Sequence, residues 1–265
     1  MLKNKLLVAA LASAFALPVL AEDAAPAAPA SPFSTNVSLT NNYLYRGISQ
    51  TGAKPAIQGG FDYAGASGIY VGVWGSSISW ISDSNLGTNA GLELDTYAGY
   101  KGTAGAVSYD VGFLRYNYPG TYGAISAPFA KPDTNEVYGA VTYSIVTAKL
   151  SYALGDLFGV ASAKGSTYID LSAAYPIGDT GFTLGAHYGK QKYKGSGTDT
   201  LVAGGADPTY SDYKLSVTKD LGTGYSASLA YSKTNAATGA GKYYYSLQGK
   251  DLGKGAVVVA LSRTF

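Results

Sequence analysis

Period two governs this chain. Between Gly91 and Lys101, Leu92, Leu94, Thr96, Ala98 and Tyr100 share one face of an extended segment, and Glu93, Asp95, Tyr97, Gly99 and Lys101 share the other. Val107, Tyr109, Val111 and Phe113 oppose Ser108, Asp110, Gly112 and Leu114 in the next segment. The split recurs in Ile169–Tyr175, Phe182–Tyr188, Tyr213–Thr218 and Tyr225–Tyr231. A strand sends successive side chains to opposite faces, so alternating segments of about ten residues read as β-strands. After Ala21 no stretch shows a convincing helical period, and no apolar run reaches the ~20 residues of a membrane-crossing helix. The chain is therefore expected to be all-β. If it lies in a membrane it does so as a closed barrel, because only helices and closed barrels satisfy every backbone hydrogen bond in lipid.

Alternation alone does not separate a soluble sandwich from a membrane barrel, whose apolar face is turned outward. Composition and the chain ends bear on the choice. Of 265 residues, 35 are glycine and 24 tyrosine, while charged residues make up only 14%. Tyr43, Tyr63, Tyr100, Tyr118, Tyr143, Tyr175, Tyr188 and Tyr225 fall at strand ends, where an interfacial girdle places amphipathic rings.

Residues 1–21 read as a secretory signal. Lys3 and Lys5 form a basic start, Leu6 to Leu20 an apolar stretch broken by Ser13 and Pro18, and Ala21 a cleavage site. Residues 22–32 form an Ala/Pro-rich lead-in, and the barrel is expected over 33–265. At the other end, Phe265, Arg263, Leu261, Val259 and Val257 alternate into a terminal phenylalanine. This resembles the signal by which the barrel-assembly machinery recognises bacterial outer-membrane proteins.

Connections set the strand count. Short turns fall near 65–67, 102–105, 145–147, 176–181 and 220–224. Longer ones fall near 49–54, 81–90, 119–134, 155–165, 191–207 and 234–255. Counting Tyr243–Gly249 as a strand would give an odd number and leave Phe265 on the outer side. It is assigned to the last external loop, which leaves twelve antiparallel strands.

Several chemistries are excluded. With no cysteine there is no disulfide framework, thiolate metal site or cysteine nucleophile, and a single histidine excludes a multi-histidine metal site. Without Lys3 and Lys5 the chain carries 17 basic and 17 acidic residues, which gives no electrostatic reason to bind nucleic acid. Gly189-Lys190 is followed by Gln191, so no phosphate loop is present. His187 invites comparison with a twelve-stranded outer-membrane phospholipase, but no matching serine and asparagine set follows. It reads as one lumenal polar residue among several, and the chain as a non-enzyme without cofactor or metal.

Glu93 and Asp95 lie two apart on one face. Such a pair can serve acid–base hydrolysis or bind calcium. No second carboxylate cluster is visible in sequence, so the pair is expected to line a pore. Arg46, Lys149 and Lys214 are the candidate balancing charges.

Asn42-Tyr-Leu-Tyr-Arg-Gly-Ile-Ser-Gln-Thr51, Pro55–Tyr63, Gly68–Ser76, Leu92–Gly102, Tyr116–Gly120 and Glu136–Tyr138 together resemble the TorF family of outer-membrane porins, once catalogued as conserved hypothetical proteobacterial proteins. The resemblance runs from about Asn36 to Phe265. It implies an outer-membrane barrel and brings no substrate with it. Sequence thus points to a passive pore for small hydrophilic solutes in the bacterial outer membrane, in contact with lipid. The alternative is a closed structural or adhesive barrel acting through its external loops.

Overall fold

The computed structural model describes residues 31–84 and 88–265. The expected signal and nearly all of the lead-in lie outside the described residues. β1 (Phe33–Thr40) leads into a miniature hairpin, β2 (Leu44–Tyr45) and β3 (Ile48–Ser49). β4 (Ala56–Ala64) and β5 (Ile69–Ser77) follow, then α1 (Trp80–Ser84), β6 (Leu92–Ala104) and β7 (Val107–Asn117). β8 (Thr134–Tyr143), β9 (Val146–Ala153), β10 (Thr167–Pro176) and β11 (Phe182–Lys192) continue the wall. After α2 (Ser196–Ala203) come β12 (Tyr210–Gly222), β13 (Tyr225–Thr234) and β14 (Ala256–Thr264).

All strands except β2 and β3 form one closed antiparallel barrel of twelve. Each pairs with its sequence neighbour, and β1 pairs with both β4 and β14, with Asn36 opposite Thr264 at the seam. Closure leaves no unpaired edge. Tyr243–Gly249 is not a wall strand. It lies in the β13–β14 loop, where Tyr245 and Asp251 form an isolated bridge. α1 and α2 sit inside loops and are too short to print a helical period on the sequence.

The alternation sorts side chains as a lipid-facing barrel requires. Leu39, Ile57, Val71, Val111, Leu150, Leu215 (66% exposed), Leu229 and Val259 point outward and are exposed, although all are apolar. Glu93, Asp95, Asp110, Glu136, Gln191 and Asp212 point inward and are buried. Exposed aliphatics at this density are costly in water, at ~25 cal/mol per Å², and favourable in hydrocarbon. The C-terminal strand obeys the same rule. Val257, Val259 and Leu261 face outward, and Arg263 lies over the rings of Tyr225 and Phe265 at 4.7 and 4.2 Å.

Glycine and tyrosine meet inside the wall. A Cβ on Gly99 would come within 2.3 Å of the Tyr70 hydroxyl, and one on Gly189 within 2.0 Å of the Tyr168 hydroxyl. Each glycine thus clears the floor on which a neighbouring tyrosine lies flat, which ties the abundance of one residue to that of the other.

Connections alternate as expected. The two rims are a short-turn rim and a long-loop rim, the latter carrying residues 41–55, 78–91, 118–133, 154–166, 193–209 and 235–255. Two of the expected girdle tyrosines do not belong to a girdle. Tyr43 and Tyr118 are buried inside the long-loop end with Trp74, Leu114 and Tyr116, because their chain segments turn into the bore rather than lie on the lipid face.

Candidate functional site

The bore is crossed by the first loop. Asn42–Thr51 folds inward as the β2–β3 hairpin, anchored by Leu44 and Ile48, which are buried. Its turn is Arg46-Gly47, both with positive φ (46° and 77°), the combination a two-residue hairpin turn of this hand demands. Gly47 is required on a second count, since a Cβ there would lie 2.7 Å from Asp212 Cβ on β12 and Thr234 Cγ2 on β13. Ser49 Oγ donates to Asn42 Oδ1 at 2.7 Å, and the Ser49 amide to the Leu252 carbonyl at 2.8 Å, which tie the hairpin to itself and to the last loop.

Arg46 therefore sits at the tip of an inserted hairpin, not on a wall strand as its place in the sequence suggests. Its guanidinium donates to both carboxylate oxygens of Glu136 on β8, at 3.1 and 2.7 Å, and to Gln191 Oε1 on β11 at 2.6 Å. The rings of Tyr45 and Tyr168 lie 4.9 and 4.2 Å from its central carbon. The hydroxyls of Tyr45 and Tyr116 are hydrogen-bonded, and Tyr116 also reaches Glu136. A bidentate arginine pair buried among aromatic rings is among the strong side-chain contacts a protein makes.

Glu93 and Asp95 do face inward, opposite Leu92 and Leu94, but neither pairs with Arg46. Tyr43 of the hairpin loop donates to Glu93 Oε1 at 3.1 Å. Glu93 Oε2 and Asp95 Oδ1 are buried with no hydrogen-bond partner among the described residues. The two remaining candidates lie deeper. Lys149 sits across the strand pair from Asp170, its ammonium 4.0 Å above the Tyr138 ring. Lys214 lies opposite His187 on the neighbouring strand.

Strand register brings together a second pair of carboxylates that the sequence spacing does not show. Asp212 Oδ1 lies 2.8 Å from His187 Nε2, Asp170 Oδ2 lies 3.3 Å from Nδ1, and Tyr168 donates to Asp212 Oδ2 at 2.9 Å. These residues come from β10, β11 and β12, and only strand register brings them together. A third polar group joins Lys101, Asp110, Tyr70 and Tyr138, with Tyr70 donating to Asp110 at 2.6 Å. Among the described residues, no set of three or more histidines and carboxylates is arranged to hold a metal ion.

The cross-section changes along the axis. The long-loop end holds the hairpin and its aromatic packing, and the middle holds the charged belt. Toward the short-turn rim the inward residues on one side are small, among them Ser38, Thr142, Thr147, Ser216 and Ser262, while the arc from β4 to β7 keeps Asp62, Tyr70, Tyr97, Lys101 and Asp110. Above the hairpin, between it and the loops, lies a cavity of about 770 Å³, with Arg46 and Gln191 among its lining residues and tyrosines around it. Burial holds the Tyr118, Tyr243 and Tyr244 phenols well above the usual range, so they stay neutral hydrogen-bonding groups.

A model of a bacterial protein family of unknown function, Gcw_chp, matches residues 23–265. The chain belongs to this family. Among solved structures, the chain is similar to the NanC porin, with 8% identity, 87% of this chain and 98% of that chain covered, and a TM-score of 0.51. It is also similar to the KdgM porin, with 7% identity, 88% and 97% covered, and a TM-score of 0.49. At such identities the likeness concerns the fold: a closed twelve-stranded antiparallel barrel of the porin type. No curated protein matches the chain.

Proposed function

We propose that this chain is an outer-membrane channel of the TorF type, through which small hydrophilic solutes diffuse passively. The observation that carries the reading is the inverted wall: outward aliphatics exposed around a closed barrel, and charges held inside. Such a barrel is at home in lipid, and a polar interior suits a path for polar solutes. Twelve strands fall between eight, whose side chains fill the bore, and sixteen, which leave an open aqueous channel. The porin-type fold supports the same reading. In this arrangement the long-loop rim faces outside, the short-turn rim faces the periplasm, and Phe265 serves assembly.

The second reading, a closed barrel working through its loops, is favoured by one observation: the β2–β3 hairpin crosses the bore and is pinned to the far wall through Arg46. Planar-bilayer recording on the purified, heat-modifiable barrel separates the two. Discrete conductance steps support the channel, whereas a folded barrel that never conducts supports the closed form. Recovery of the mature chain as a soluble periplasmic protein would sink both.

A further inference from the structure

The cavity above the hairpin has a specific chemistry. Its volume, about 770 Å³, lies within the roughly 300–1,000 Å³ of small-molecule sites. Its walls are rich in aromatic rings, with Tyr45, Trp80, Tyr118, Phe158, Tyr210 and Tyr244 drawn from six separate segments. No carboxylate lines it among the described residues. The two lining cations are engaged: Arg46 by Glu136 and Gln191, and Lys242 by the Gly205 carbonyl at 3.0 Å. The site therefore offers no counter-charge for a cation, the guanidinium is neutralised by Glu136, and the one lining charge without a carboxylate partner among the described residues is the Lys242 ammonium, which is exposed.

What it offers is ring faces edged with hydroxyls. Tyr122 and Tyr244 donate to the backbone carbonyls of Tyr118 and Pro208, at 2.7 and 2.8 Å. The indole N–H of Trp80, on the same lining, is buried with no hydrogen-bond partner among the described residues, and Tyr118 and Tyr210 bring two further phenols to the wall. A tyrosine presents an apolar body and a polar tip. The matching solute has apolar faces to stack and a rim of hydroxyls to donate and accept. A purely apolar aromatic would leave the phenols unpaired, and an unpaired polar group is costly.

We propose that this cavity binds a neutral saccharide, holding pyranose rings against the tyrosine and tryptophan faces before they meet the hairpin. The inference deepens the channel reading and rests on it only for the cavity's place on a solute's path.

Isothermal titration of the full folded chain, in a detergent without a sugar headgroup, tests it. The probes are maltotriose, cellotriose, p-cresol and tetraethylammonium chloride. Saturable binding of at least one trisaccharide is expected, with Tyr118→Phe and Tyr210→Phe each weakening it about threefold to tenfold while heat-modifiable migration is kept. If neither trisaccharide saturates, the proposal fails. It also fails if only p-cresol or tetraethylammonium saturates, or if both phenylalanine variants bind as the parent does. Bilayer recording on the same preparation keeps the two readings apart. Saccharide binding without conductance upholds the site and overturns the channel, and conductance without saccharide binding does the reverse.

Discussion

Arg46 Nη2 lies 2.7 Å from Glu136 Oε2, and this one contact joins the tip of the inserted hairpin to β8, across the bore from the strands that carry it. Both side chains are almost wholly buried. Removing one partner of such a pair leaves the other charged and unpaired, at a cost of about 3–5 kcal/mol. The hairpin is small and loop-borne, so the loss is expected to appear as its release rather than as collapse of the wall. Arg46→Ala and Glu136→Gln should each raise single-channel conductance while heat-modifiable migration persists. Unchanged conductance in both variants would mean that the hairpin does not limit flow.

Gly189 gives a sharper test of the wall. A Cβ there would meet the Tyr168 hydroxyl at 2.0 Å and Asp212 Oδ2 at 2.4 Å. Overpacking of this kind costs roughly 1–3 kcal/mol. Gly189→Ala should therefore lower the temperature at which the barrel loses its heat-modifiable form, and Tyr168→Phe in the same chain should restore little, because the ring still lies over the glycine. In a Tyr168→Ala background, which lacks the ring, adding Gly189→Ala should lower that temperature less than it does in the parent, the contact with Asp212 Oδ2 accounting for what remains. A Gly189→Ala barrel as heat-resistant as the parent would show that the ring moves aside at no cost.

The wall was legible because it obeys one rule: period-two alternation fixes which face is which, and turn residues mark where strands end. Leu92 and Leu94 outward, with Glu93 and Asp95 inward, followed from that rule alone. The hairpin escaped it. β2 and β3 are two residues each, too short to alternate, and Tyr43 and Tyr118 carry the same strand-end signature as a girdle tyrosine whether the chain turns out or in. Only Arg46-Gly47, with its turn-forming glycine, hinted that the segment reverses. The pairing of Arg46 with Glu136 and the gathering of Asp170, His187 and Asp212 were not readable. They depend on strand register and barrel shear, which set which inward residues meet and leave no mark on the spacing within a strand.

Topology offers an independent check. Epitope tags inserted within 119–134 or 191–207 should be reached by antibody on intact cells, whereas a tag at Gly105, in the tight turn between β6 and β7, should be reached only after permeabilisation. Labelling of the Gly105 tag on intact cells would invert the barrel. Deleting Phe265 should reduce the amount of heat-modifiable protein, and an unchanged yield would remove the assembly role given to that residue.

Selectivity follows from the inward charges. Asp62, Glu93, Asp95, Asp110, Glu136, Asp170 and Asp212 outnumber Arg46, Lys101, Lys149, Lys214 and His187, and the acidic excess lies on the arc from β4 to β8. Fixed charges lining a constriction set the field that a passing ion meets. The channel is therefore expected to prefer cations. Glu93 Oε2 and Asp95 Oδ1 are buried without hydrogen-bond partners among the described residues, so the pair is costly to hold charged while the hairpin is seated and bears on a passing ion only where water reaches it. Glu93→Gln with Asp95→Asn should move the reversal potential in a salt gradient toward zero. Arg46→Ala should move it the other way, because Glu136 is then left uncompensated. The Arg46→Ala Glu136→Gln pair should return it close to the parent value, since it removes one charge of each sign. Reversal potentials that ignore all of these changes, in a protein that still conducts, would make these residues part of the wall's scaffolding and assign selectivity to the Lys149, Asp170 and Lys214 belt below them.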